Sequence, residues 1–479
     1  MAENYQNNYV KLALPKGKLL PATSVLIDAI GLELENYNQE TRVYRLQSRR
    51  FNYLQAKIFQ EKDIPIQVAV GNYDIGICGL DWVEEVLTKY PESALIKLLD
   101  LEYSKSNLYM AASSCGDICD INELTSRQAK WRIVTEYPNL SESAALNLRL
   151  RNFSIFPVWG SAVAYPPENA ELVIIQGADE EEIKAQNLIP LKNLLMTSVF
   201  LIVNQETLQT KDISQIINCF TNGINMQNKP WLHINPKKDE YSNGSSITVN
   251  EDTIWLALPD GHQQKPTIEF LNRAGLRLEG YSETNLNRRP TINREGFGVK
   301  VIRPQDMPLQ IANGNFDLAI TGKDWLLDHK YRFPSSPAIN LVDLGFGTIK
   351  MVAVVHQNLI ANSIEELKNS ERDGVLSPLR VASEYINIAD KYLRDNHVSR
   401  YKLIPTWGAS EAFLPEDADL LIENTETGKT LAKHNLRIID TLFQSSACLI
   451  GNKNSIMLSS KNKRISSLID IFKKATGVD

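Results

Sequence analysis

Apolar residues fall along this chain in short runs separated by stretches of helical spacing. KLALP at 11–15 is such a run. LLPATSVLIDAIG follows at 19–31, with apolar positions recurring every three to four residues up to a glycine. The first run predicts a strand and the second a helix. DIGICG at 74–79 and DLAITG at 317–322 read as buried strands ending at glycine, and the aspartate after each, Asp81 and Asp324, reads as a cap of the next helix. RIVTE and AELVII, then RVASE and ADLLIE, give further strands. Strands alternating with helices imply mostly parallel sheets covered on both faces, an α/β fold. Two such lobes side by side place a ligand cleft beyond the carboxyl ends of the strands.

The pattern occurs twice. LALPKGKLLPATSVLIDAIGLEL from Leu12 matches LALPDGHQQKPTIEFLNRAGLRL from Leu256, and KDIPIQVAVGNYDIGICGLDW from Lys62 matches QDMPLQIANGNFDLAITGKDW from Gln305. VWGSAVAYPPENAELVI from Val158 matches TWGASEAFLPEDADLLI from Thr406. Ordered blocks at a nearly constant offset mean a tandem duplication. We divide the chain into a first copy at 9–226, a linker at 227–250 rich in Asn, Pro, Lys and Ser, and a second copy at 251–479.

Composition narrows the function. The 479 residues are 43% hydrophobic and 23% charged, which excludes disorder as the main state. With 57 acidic against 51 basic residues the chain lacks the cationic footprint of a nucleic-acid binder. Cys78, Cys115, Cys119, Cys219 and Cys448 form no C-x-x-C pair, and MAENYQNNYV has no signal-peptide pattern, so a reduced, cytoplasmic protein is expected. The apolar run at 194–203 spans only half a bilayer and contains Thr197 and Ser198; it reads as a buried strand, with no membrane partner. The dispersed histidines carry no zinc spacing.

The sharpest local motif is DLLIENTETGKTL at 419–431, an apolar strand running into Thr427-Gly428-Lys429-Thr430 and a helix. Such a turn aims hydroxyls and backbone N–H groups at an anion. The nucleotide P-loop needs a glycine where Glu423 stands. An acid followed by T-G-x-T suits a 5-phosphoribosyl group instead, hydroxyls and amides holding the phosphate and a carboxylate the ribose diol. An ordinary strand-to-helix turn with a threonine cap is the plainer alternative.

LPKGKL, DIP, G-x-x-D-x-G-I-x-G-x-D-W, TEYPNL, G-x-x-E and E-T-G-K-T-L-x-x-x-N-L, divided between the copies, together resemble the catalytic domain of ATP phosphoribosyltransferase in its short form. The resemblance implies two tandem copies of a two-lobed, periplasmic-binding-protein-like unit with mostly parallel sheets. It implies the first step of histidine biosynthesis: N1 of ATP displaces pyrophosphate from 5-phosphoribosyl 1-pyrophosphate, with Mg²⁺ as cofactor and no protein metal ligand assigned. It implies Glu411, Glu423 and Arg303 as catalytic. Glu426, Thr427, Gly428, Lys429, Thr430 and Leu431 would bind phosphoribosyl pyrophosphate, and Lys16, Gly17, Lys18, Thr321, Gly322 and Asp324 the nucleotide. The family arginine, Arg303 here and Gln60 in the first copy, reaches a neighbouring subunit's site, so an internal pseudo-dimer is expected; a higher homo-oligomer and a regulatory subunit stay open as partners.

The copies differ in what they retain. The first keeps Lys16-Gly17-Lys18 but has Asp179-Glu180-Glu181-Glu182 where the second has the phosphate loop, and Val163 in place of Glu411. The second keeps the loop but reads Asp260-Gly261-His262. A non-catalytic, nucleotide-holding or regulatory relative, and a transferase with another acceptor base, are the competing readings. Trp82, Trp159, Trp325 and Trp407 read as core packing rather than adenine stacking, and Cys78 as a small buried filler.

Overall fold

The computed structural model describes residues 9–477 except 39–42, 128, 227, 235–251, 283–285, 373–377 and 458. Each repeat is two α/β lobes, one inserted into the other. In the first repeat the basal sheet runs, edge to edge, Arg45–Gln47, Leu54–Phe59, Val10–Pro15, Ile75–Gly79, Val199–Asn204 and Leu95–Asp100. The inserted sheet runs Leu188–Thr197, Ser106–Ser113, Leu172–Gly177, Trp131–Thr135 and Phe153–Pro157. The second repeat reproduces the inserted order, and the basal order without its first edge strand; Leu286–Ile292 pairs instead with Leu278–Tyr281 in a separate two-stranded sheet. Its basal sheet is Phe297–Ile302, Ile254–Pro259, Leu318–Gly322, Ala447–Asn452 and Ala338–Asp343; its inserted sheet is Leu436–Ser445, Ile349–His356, Leu420–Thr425, Leu379–Ser383 and Tyr401–Pro405.

The strands expected to be parallel are parallel: Val10–Pro15 pairs that way with Leu54–Phe59 and with Ile75–Gly79, and Ile254–Pro259 with Phe297–Ile302 and Leu318–Gly322. Covered on both faces, they read as unbroken apolar runs; Leu12, Ala13 and Leu14 have no exposure. The strands that carry the chain between lobes run antiparallel, because a chain returning from the inserted lobe enters the basal sheet from its far end. The run at 194–203 is therefore two strands, one ending at Thr197 in the inserted lobe and one starting at Val199 in the basal lobe. Of the linker expected at 227–250, residues 227 and 235–250 lie outside the described residues. Within that stretch the turn Pro230–His233 buries Trp231 in the first basal core.

The repeats pack reciprocally. The first basal lobe (Phe59, Ile64, Val68, Tyr73) shares one core with the second inserted lobe (Val352, Phe413, Leu421, Leu431). The second basal lobe (Trp255, Ile302, Met307, Phe316) shares another with the first inserted lobe (Tyr109, Val158, Tyr165, Val173). Each seam encloses an ion pair. Lys57 Nζ donates to Asp417 Oδ2 at 2.7 Å, and the Tyr73 hydroxyl donates to the same oxygen at 3.3 Å. At the matching place Lys300 Nζ donates to Glu168 Oε2 at 2.6 Å, and Arg289 Nη1 to Glu168 Oε1 at 2.7 Å. Burial and the Arg289 guanidinium push the Lys300 ammonium down to about 7, although Glu168 pulls it back. Glu168 stays below the usual carboxylate range, because two cations serve one acid and outweigh its burial.

Removing one member of such a pair strands the other. Lys57→Met should therefore cost about 3–5 kcal/mol, and Lys57→Met with Asp417→Leu should recover most of it. Equilibrium urea unfolding of the two variants measures this; equal loss in both would show that the pair itself does not hold the seam.

Candidate active site

In the second repeat the strand Leu420–Thr425 ends in a turn and the short helix Lys429–Lys433 begins. Gly428 caps that helix at φ 72°, and its N–H donates to Thr425 Oγ1 at 2.9 Å. Glu426, Thr427, Lys429 and Thr430 are exposed on the turn, while Leu431 is buried in the seam and anchors it. Lys429 and Thr430 open the helix, so their amides lack intrahelical acceptors. A Cβ on Gly428 would meet no atom within 4 Å; the glycine is demanded by the left-handed backbone, not by crowding.

The matching turn of the first repeat is closed by its own acids. Asp179 Oδ1 accepts from the Glu182 amide at 2.9 Å, and Glu182 Oε2 accepts from the Ala178 amide at 2.6 Å. The pair resembles a capping box at the start of Glu180–Ala185, Glu182 reaching one residue past the cap, with carboxylates occupying the donors that a phosphate would use. Glu180 and Glu181 turn outward to Lys184.

Beside the open turn lie three glutamates. Burial, with Glu411 close by, pushes Glu384 up to about 7. Burial, then Glu384 and Glu411, hold Glu423 well above the usual carboxylate range. Asp63 of the first repeat faces the same group: burial and Glu384 raise it, and its Oδ2 has no hydrogen-bond partner. Among the described residues no Lys or Arg is ion-paired to Glu384, Glu411 or Glu423. Glu384 stands in Ser383-Glu384-Tyr385, matched by Thr135-Glu136-Tyr137 in the first repeat, a short polar signal that assigns no role by itself.

Asp324 and Asp81 do not cap. The caps are Gly322 and Gly79, and the carboxylates instead tie the lobes together. Asp324 accepts from the Tyr385 hydroxyl at 2.8 Å and from Ser445 Oγ at 2.7 Å, and Asn424 Nδ2 donates to the same tyrosine hydroxyl at 2.8 Å. Asp81 accepts from Tyr137 at 2.6 Å and from Gln176 at 2.7 Å. A Cβ on Gly322 would overlap Oδ1 of Asp324, so this glycine makes room for the tether. Thr321 is buried and donates to the Pro304 carbonyl at 3.0 Å. Trp325 stacks on Tyr385 at 4.0 Å, and Trp159 lies 6.1 Å from Trp325 and 6.2 Å from Trp407, a cluster where the lobes and repeats meet.

The remaining sequence candidates are distributed across the seam. Arg303 lies against Gly160 of the first repeat, where a Cβ would come within 3.1 Å of its Nε, and contacts Asp260 at 3.4 Å. The equivalent Gln60 approaches Gly408 of the second repeat, with 3.3 Å to a Cβ there. Arg303 thus faces the closed turn's repeat and Gln60 the open turn's repeat. Asp260 is buried and paired with Arg288 at 2.7 Å. Lys16 Nζ donates to the Tyr44 hydroxyl at 3.2 Å, and Gly17 holds φ 80°. Lys18 is exposed and acts on Glu61, which burial and Asp81 push up to about 8, while burial lifts Asp81 to about 6.

The family model for ATP phosphoribosyltransferase (HisG) matches residues 60–224 and 303–474. An ATP phosphoribosyltransferase of Saccharolobus solfataricus is 34% identical over 223 residues, covering 46% of this chain and 71% of the relative. That of Prosthecochloris aestuarii is 29% identical over 231 residues, covering 48% and 74%. Among solved structures, an ATP phosphoribosyl transferase (HisG:HisZ) complex from Thermotoga maritima aligns at 21% identity and TM-score 0.38, covering 47% of this chain and all of that one.

The buried glutamates make stability pH-dependent. A carboxyl whose folded pKa is raised keeps its proton longer than the unfolded chain does, so stability is fully present below the unfolded value and is lost as pH rises towards the folded one. For Glu384 that window runs from its ordinary value of 4.5 to about 7. The melting temperature should fall across it, and Glu384→Gln should flatten the slope. Parallel thermal-melt series for the two proteins check this; identical slopes would remove Glu384 from the effect.

Proposed function

This chain belongs to the ATP phosphoribosyltransferase (HisG) family, and we propose that its second repeat joins ATP to 5-phosphoribosyl 1-pyrophosphate, releasing pyrophosphate, while its first repeat is catalytically silent. The observation that carries this reading is the contrast between the two turns: 425–430 is open, with Gly428 left-handed and Thr427 and Thr430 exposed, whereas 178–182 is filled by Asp179 and Glu182.

In this reading Thr427, Thr430 and the first helix amides hold the ribose 5-phosphate, with Lys429 adding charge. Glu423 and Glu384 take hydrogen bonds from the ribose hydroxyls and oppose the positive charge that grows at the anomeric carbon. Adenine N1 attacks that carbon while its bond to pyrophosphate breaks, and the bonding pair leaves with the pyrophosphate. No covalent enzyme intermediate is needed; positioning between the lobes supplies the rate. Among the described residues no three acidic, histidine or cysteine side chains converge as a metal-ligand set. Mg²⁺ would arrive on the substrate phosphates.

The closed first turn also supports a regulatory or purely structural role for that half. Among the described residues no helix is long and apolar enough to cross a membrane.

Thr430→Ala should remove a charge-assisted hydrogen bond of about 1.5–3 kcal/mol, weakening phosphoribosyl pyrophosphate binding about 10- to 150-fold. Gly428→Val should weaken it further, through the strain of a β-branched residue at positive φ rather than a clash. Glu180, Glu181 and Glu182 changed together to alanine should leave the affinity nearly unchanged. Titration calorimetry with Mg²⁺ tests all three, beside a pyrophosphate-release assay with ATP. Intact binding in the Thr430 and Gly428 variants would overturn the site. Turnover lost in the triple variant, with the fold retained, would overturn the silent first repeat.

A further inference from the structure

Away from the cleft, the outer part of the first seam holds a cavity of about 350 Å³. Its floor is a face of the first basal sheet. Strand register sets Gln47, Gln55 and Lys11 in one row across three strands, and Arg45, Lys57 and Ala13 in the next row on the same face. The second inserted lobe clamps the inner row: Glu416 holds Arg45, and Asp417 and Glu416 hold Lys57. In the outer row Gln47 and Gln55 are exposed, so the cavity opens to solvent. Lys11 stands four residues before Pro15, about 13 Å along the strand from the end that meets the cleft.

The lining carries one positive charge without a counter-charge. Glu35 at the rim is ion-paired to Arg49, while Glu416 and Asp417 neutralise Arg45 and Lys57. Lys11 has no carboxylate partner among the described residues, and its ammonium stands 5.9 Å from the centre of the Tyr73 ring. The side-chain amides of Gln47 and Gln55 have no protein partner among the described residues either, and each offers donors and an acceptor.

The second seam fills this place with its own chain. Trp255 stands where Lys11 does and Gly298 where Gln55 does, paired in the same register. The indole lies over Gly298, where a Cβ would come within 2.5 Å of it, and the Lys300 ammonium is 4.9 Å from the ring centre. Trp255 is buried in the shared core. One aromatic side chain thus seals the seam of this fold, and the first seam has a cation and two amides around open space instead.

We propose that this cavity is a second ligand site, separate from the cleft, and that it takes a small organic monocarboxylate, with the carboxylate on Lys11 and the polar body on Gln47 and Gln55. A single uncompensated cation suits one carboxylate rather than a polyphosphate. The volume sits at the low end of small-molecule sites, about 300–1,000 Å³. Because Glu416 lines the same cavity, the ligand touches both repeats and fastens the seam.

The test uses the full chain as wild type, as Lys11→Met, and as Lys11→Trp combined with Gln55→Gly, which copies the second seam. Glycerate is the probe, glycerol its uncharged counterpart and glycerol 3-phosphate its phosphate counterpart, each titrated by calorimetry. Wild type should bind glycerate and not glycerol. Lys11→Met should weaken glycerate about 10- to 150-fold, and the double variant should not bind it. Phosphoribosyl pyrophosphate affinity, measured with Mg²⁺, should be the same in all three proteins. Wild type that fails to bind glycerate, or Lys11→Met that binds it equally well, would overturn the site; Lys11→Met decides this even if the double variant does not fold. Glycerol 3-phosphate bound more tightly than glycerate, with that binding lost in Lys11→Met, would overturn the carboxylate assignment. A matching loss of phosphoribosyl pyrophosphate in Lys11→Met would overturn the separation from the cleft.

Discussion

Two lysines buried against carboxylates of the opposite repeat, Lys57 on Asp417 and Lys300 on Glu168, set the terms for the rest of the molecule. A buried ion pair contributes little net stability, but it penalises any arrangement that separates its members. Placed within the two shared cores, these pairs fix which basal lobe meets which inserted lobe. The distances that follow, Gln60 at Gly408 and Arg303 at Gly160, depend on that registration.

Within it, each repeat closes its own cleft with one carboxylate, Asp81 or Asp324, hydrogen-bonded to a tyrosine of its inserted lobe. The two hinges are alike, yet the turns beyond them differ. In one, acids satisfy the helix-start amides internally; in the other the amides face outward. A carboxylate supplied by the chain is always present at the site, so no phosphate at ordinary concentration competes with it on equal terms.

Much of this was legible in the residues. The strands, their parallel cores and the duplication follow from apolar runs buried on both faces, because burial leaves a continuous signature. The open turn was legible as a turn because a glycine between an apolar strand and a helix marks the left-handed position that Gly428 takes. Asp81 and Asp324 were misread as caps, since a polar residue just beyond a strand-end glycine fits either role until its tertiary partner is seen. Arg303 was expected, from the resemblance alone, to reach towards a neighbouring site, and it lies against Gly160 of the other repeat. Lys11 and Gln55 carried no motif; their place in one row arises only from the pairing of distant segments. Trp231 lies inside the stretch read as linker, yet it packs into the first basal core.

The insertion of one lobe within another has a consequence for the order in which the chain is made. The first basal sheet is incomplete until Val199–Asn204 has left the ribosome. The face bearing Phe59, Ile64 and Val68 then waits for partners as late as Leu436. At about 5–20 residues per second that interval is on the order of ten to fifty seconds. During synthesis the nascent first repeat is therefore a folded body with one uncovered apolar wall, the kind of surface that holding chaperones bind. Its stability then depends on its own successor along the message, not on the arrival of a second molecule.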